Sequence, residues 1–85
     1  MHPGTACVVN QYSGTVTPIR TATNTGGKAI KVGTDPFGIA IMPNGKTVYV
    51  ANNGSGTVTP IGTATNTAGK AISVGVAPVS IAITP

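Results

Sequence analysis

This 85-residue sequence predicts an all-β fold assembled from small antiparallel sheets, and three observations carry the prediction. The apolar residues are mostly Val, Ile and Ala, with abundant Thr, a composition that suits pleated and half-buried strands. No window holds apolar residues at helical spacing, and Gly or Pro interrupts every stretch long enough to try. The chain also repeats itself. GTVTPI at residues 14–19 returns at 56–61, and TATNT at 21–25 returns at 63–67. Sliding the chain by 42 residues matches about 26 of 43 aligned positions, so two units fill it. A period of this size, made of short strands, is that of one four-stranded β-propeller blade.

Each element follows from local chemistry. The chain opens on Thr5–Asn10, 15–19 and 28–32, which take the places of a second, third and fourth strand. A complete unit comes next. Its first strand is 37–41, where Phe37, Ile39 and Ile41 alternate with Gly38 and Ala40. Met42-Pro43-Asn44-Gly45-Lys46 forms a hairpin turn, since Asn-Gly favours the left-handed backbone such turns need. TVYVAN at Thr47–Asn52 is the second strand, and a turn at 53–56 leads to the third at 57–61. A polar loop over 62–69 follows, with Asn66 suited to a side-chain turn. The fourth strand is expected at 70–74, and a further first strand at 79–84. Neither face of these strands is fully polar, as in sheets covered on both sides. Pro18 and Pro60 fit an internal strand poorly, because proline cannot donate to a ladder; a bulge or short strand is expected there.

The motifs PFGIAIMPNGKTVYVANNGSGTVTPI at 36–61, TATNT and the Val-Gly pairs resemble the YVTN family of β-propeller repeats. The likeness extends to repeats of archaeal and bacterial surface-layer proteins and covers essentially the whole chain. Thr47–Asn52 carries the motif itself, whereas the first copy, Thr5–Asn10, has Cys7 in place of Tyr49. The resemblance implies a scaffold of varied roles, a location outside or on the surface of bacterial cells, and about seven blades in a typical family member.

Strand order then makes a prediction about assembly. The orders 2-3-4, 1-2-3-4 and 1 leave each end lacking what the other supplies. Ile81, Ala82 and Ile83 of one copy are expected to pair with Ala6, Cys7, Val8 and Val9 of another. Two blades per chain cannot close a ring alone, since propellers need roughly four to eight. A homo-oligomer with strand exchange at the chain ends satisfies both faces. The expected partner is therefore the chain itself, as a trimer with six blades or a tetramer with eight, with room for an unknown ligand or protein at the propeller face. A piece of a larger surface propeller, natural or engineered, is the alternative.

Composition narrows the function further. With 40% hydrophobic and only 7% charged residues, the chain is unlike disordered sequences. The net charge of +4 arises from Arg20, Lys28, Lys31, Lys46 and Lys70 against Asp35. These are scattered, and Tyr12, Phe37 and Tyr49 are the only aromatics, so no nucleic-acid surface is expected. No apolar run is long enough for membrane insertion, and Met1-His2-Pro3 leads into repeat sequence without the features of a signal peptide. One acid, one imidazole and one thiol give no set for acid–base, nucleophilic or metal chemistry within a chain. No cofactor is expected. A lactonase-like or other hydrolytic propeller would need acids and histidines on first strands and inter-blade loops. Cys7 is expected to be an inert strand thiol. Asp35, just before a first strand, would form a ring around the axis in an oligomer, and otherwise stabilises the turn before Pro36. His2 falls at the expected junction between chains.

Overall fold

The computed structural model describes residues 4–84, and His2 lies outside them. Among the described residues, nine strands form two antiparallel meanders. The first contains β1 (Thr5–Asn10), β2 (Thr15–Arg20), β3 (Thr25–Gly26) and β4 (Ile30–Lys31). The second contains β5 (Pro36–Ile41), β6 (Thr47–Asn52), β7 (Thr57–Gly62), β8 (Thr67–Ala68) and β9 (Ile72–Ser73). Corresponding pairs share one register. Cys7 faces Pro18 as Tyr49 faces Pro60, and Asn10 faces Thr15 as Asn52 faces Thr57.

The main strands form where they were expected, and the turns explain their limits. Gly14 and Gly56 adopt φ of 68° and 67°, and each donates its N–H to the carbonyl of Asn10 or Asn52 at 3.0 Å. Left-handed backbone of this kind suits glycine and closes the β1–β2 and β6–β7 turns. In the β5–β6 hairpin, Asn44 Oδ1 accepts from Lys46 N at 2.9 Å and Gly45 takes φ of 70°. The loop expected over 62–69 is shorter. β7 runs to Gly62, the turn occupies residues 63–66, and Asn66 turns the chain at φ of 55°. Asn24 does the same at 53° in the first unit. Asparagine tolerates this conformation better than most residues.

Two expectations about strands need correction. The fourth strand of each unit is not continuous over 28–32 or 70–74. It is split into β3 and β4, and into β8 and β9, by a one-residue bulge. Ile19 pairs with Gly26 and Val16 with Ile30, so three steps on β2 face four on its partner. Proline causes the break. The carbonyl of Pro18 accepts from Gly27 N at 2.7 Å, so its backbone polar groups face the outer strand, where its missing N–H would have donated. Pro60 and Gly69 repeat the contact at 2.7 Å. The prolines are thus compatible with an internal strand, because the bulge sits on their neighbour. The strand expected at 79–84 is also absent. A strand requires a ladder partner, and the second strand that this segment's register demands is not among the described residues.

The core lies between the two units. Val16 and Ile30 of the first meet Val48, Val50 and Ile61 of the second, with Cys7, Val32 and Ile39 packed around them. Each fully buried aliphatic side chain stabilises the pair by about 1.5–3 kcal/mol relative to exposure. One face of each sheet therefore depends on its neighbour for burial. Among the described residues there is no helix that could cross a membrane.

Candidate interaction site

The joint between the units is built from residues 33–36, which the β6–β7 turn grips through backbone and side chain. Asn52 is the centre of the grip and is completely buried. Its Nδ2 donates to Thr59 Oγ1 at 2.8 Å and to Thr57 Oγ1 at 3.2 Å, which orients the amide. The Oδ1 then accepts from Gly33 N at 3.1 Å, reaching across the interface. Ser55 Oγ accepts from Thr34 N at 2.7 Å. Gly54 N and Asn53 N donate to the carbonyls of Thr34 and Asp35 at 3.0 and 2.9 Å. Four consecutive residues of one turn are thereby matched to three of the connection, so the joint has a fixed register. Its closeness demands small residues. A methyl group on Gly33 would lie 2.6 Å from Asn52 Cγ.

Each half of this joint recurs on an outer face. Asn10 repeats Asn52, with Nδ2 donating to Thr17 and Thr15 at 2.9 and 3.1 Å. Ser13 repeats Ser55, and both are exposed. On the opposite face Gly75 repeats Gly33, and a methyl group there would meet nothing within 4 Å. Asn53, Gly54, Ser55, Gly75, Val76 and Ala77 border a shallow groove of about 410 Å³ on this face.

The apolar residues behave likewise. Val50 and Ile30 are 0% and 7% exposed in the core, while their repeats Val8 and Ile72 are 41% and 49% exposed. Val74 and Val79 are also exposed. Beyond the joint, Asn53 Nδ2 donates to the carbonyl of Pro78 at 3.4 Å, and a methyl group on Gly38 would lie 2.6 Å from the carbonyl oxygen of Val79. Residues 78–80 are thus held beside β5.

The residues singled out from sequence fall on three sites. Ala6, Cys7, Val8 and Val9 lie in β1, whose outer edge pairs with no strand among the described residues. Ile81 and Ile83 are half-buried and Ala82 is exposed, on the segment after Pro78. Asp35 sits in the joint at φ of 50°, and its carbonyl accepts from Asn53. Its carboxylate belongs to no cluster of three metal-ligating side chains among the described residues. Burial pushes the Cys7 thiol up from its ordinary pKa, which lowers its thiolate fraction and nucleophilicity. Arg20, Lys28, Lys31, Lys46 and Lys70 are all exposed and spread over the surface.

The sequence points to the Asn52-Asn53 turn as one that satisfies backbone groups, which Asn52 does at Gly33 N, but Gly33 and Ser55 were missed. A signal was present: Gly33 and Gly75, Asn10 and Asn52, and Ser13 and Ser55 are identical in the two copies. Their pairing across the interface needed the register.

The fold and this joint define an all-β, propeller-like arrangement of antiparallel meanders packed face to face. No family model matches the sequence, and no curated protein matches it. Among solved structures, Kuenenia stuttgartiensis hydrazine synthase is similar, with 29% identity over 96% of this chain and a TM-score of 0.93. A functionally unknown protein from Desulfotomaculum acetoxidans DSM 771 is similar over 95% of this chain, with 24% identity and a TM-score of 0.84. This chain spans 23% and 28% of those two chains, about a quarter of their length.

Proposed function

We propose that the chain is a self-assembling propeller scaffold of the YVTN-repeat type, whose two outer faces join head to tail with other copies into a closed ring. The observation that carries this reading is the exposure of Val8 and Ile72, whose repeats Val50 and Ile30 are buried at the internal joint. Copying that joint would bury both faces and close the free edge of β1. The β5–β6 register supplies the detail. Ile39, Ala40 and Ile41 pair with Val50, Tyr49 and Val48. By repetition, Ile81, Ala82 and Ile83 lie opposite Val8, Cys7 and Ala6 of the next copy. Three copies make six blades and four make eight. Binding of a ligand or protein falls to the ring's face, and the proposal assigns no catalysis to the chain.

A second reading is favoured by the chain's span of about a quarter of its structural neighbours. In a longer polypeptide the same two faces would meet neighbouring blades of one chain. Sedimentation velocity on the purified 85-residue chain separates these. A single species of three or four times 8.3 kDa supports the ring. A folded, monodisperse monomer refutes it, and irregular association favours the longer propeller.

A further inference from the structure

We infer that the junction between copies is anchored by Tyr12 of one copy seated on Val76 and Ala77 of the next, a contact the internal joint does not contain. The inference rests on the head-to-tail reading above. It starts from the positions where the two copies of the sequence differ. At the internal joint Gly54 faces Thr34 and Asp35. A methyl group on Gly54 would lie 3.0 Å from Thr34 Cγ2 and 3.1 Å from Asp35 Oδ2, so a side chain there would have to push both neighbours back. The repeat of Gly54 is Tyr12, the repeat of Thr34 is Val76, and the repeat of Asp35 is Ala77.

The three differences act together. Ala77 removes the carboxylate that obstructs a side chain at the glycine position. Val76 replaces a hydroxyl with a methyl group and offers an apolar seat. Tyr12 would then lay its ring on a seat that has lost its carboxylate and gained an apolar surface. Both partners are conspicuously bare in the single chain: Tyr12 is 94% exposed and Val76 is 99% exposed. An isolated exposed apolar residue needs no explanation, but two that the repeat register brings opposite each other form a matched pair. Ala77 holds φ of 52°, the same left-handed backbone as Asp35 at 50°, so the open seat already has the shape of the closed one. Beside it, Gly75 N and Asn10 Oδ1 repeat the Gly33–Asn52 bond. A desolvated tyrosine at the centre of a small joint is a typical energetic anchor.

The chemistry also gives the contact a direction. The tyrosine turn meets a carboxylate at Thr34–Asp35 and an apolar surface at Val76–Ala77, so the pairing of chains end to end is the one it favours.

The test compares wild type with Tyr12→Gly, Tyr12→Ser and the triple variant Tyr12→Gly, Val76→Thr, Ala77→Asp by sedimentation velocity over a range of concentration. Circular dichroism checks that each remains folded. The single variants are expected to associate about tenfold or more weakly than wild type. The triple variant restores three of the four positions at which the junction differs from the internal joint, leaving Gln11 in the place of Asn53, and is expected to recover association. A wild type that assembles, together with single variants that assemble equally tightly, overturns the Tyr12 contact and leaves the ring intact. A wild type that stays monomeric overturns the ring itself and the contact with it.

Discussion

Substituting alanine for Gly33 and for Gly75 makes one chemical change at two repeated positions with opposite surroundings. At Gly33 the new methyl group would sit 2.6 Å from Asn52 Cγ and 2.8 Å from its Cβ and Nδ2. Asn52 is fully buried and tied to Thr57 and Thr59, so it cannot swing aside without breaking bonds. Overpacking costs about 1–3 kcal/mol, and a buried polar group left unpaired costs about 1–3 kcal/mol more. Gly33→Ala is therefore expected to destabilise by about 3 kcal/mol in urea unfolding. At Gly75 the same methyl group meets nothing, and the reduced freedom of the unfolded chain offers a small gain of about 0.4–1 kcal/mol. Gly75→Ala should leave the single chain folded. If the outer faces repeat the internal joint, however, its methyl group meets Asn10 of the next copy. The same penalty of about 3 kcal/mol then appears as association about a hundredfold weaker. Urea titration and sedimentation velocity on both variants provide the measurement. Equal stability losses at the two sites, or undiminished assembly of Gly75→Ala, would refute the reasoning.

Three further outcomes follow from the same contacts. Asn52→Ala removes two oriented donors and the cross-interface acceptor, and is expected to cost about 3 kcal/mol in urea unfolding, against about 1–2 kcal/mol for Asn10→Ala in dilute solution. Pro60→Ala restores an N–H that faces the bulge, so its stability should change by no more than about 1 kcal/mol; a loss of several would contradict the placement of the bulge. Burial raises the Cys7 pKa, so the folded thiol should react with iodoacetamide more slowly at mildly alkaline pH than the unfolded chain does. The sign for stability follows from proton binding. The folded thiol holds its proton longer, so its contribution is constant below the unfolded pKa near 8.5 and is lost as pH rises through the higher folded value. Unfolding of Cys7→Ala should lack that component.

Period-2 alternation and turn residues made the long strands readable. Val48 and Val50 alternate with Tyr49 and Ala51, and Asn44-Gly45 closes the hairpin before them. The split fourth strand was not readable, because its cause lies in another strand. Only the direction of Pro18's backbone groups reveals which neighbour must bulge. The absence of a strand at 79–84 has a similar origin, since alternation in Val79, Ile81 and Ile83 specifies a surface and not a partner. The joint was hidden for a third reason. Asn52, Ser55 and Gly33 are ordinary turn residues until the packing of two sheets places them within hydrogen-bonding distance.

The location of the core between units, and not within them, has a consequence for how such a chain can grow. Packing here is counted by joints. An open array always has one joint fewer than it has blades, however long it becomes. Adding a blade hides one apolar face and presents an identical one, so extension alone never reduces the exposed surface. Closure is different in kind: it supplies the missing joint without a single extra residue. A protein built on the joint around Val16 and Val48 therefore has three ways to be rid of an adhesive end: a polar terminal unit, a cover from another molecule, or a closed circle.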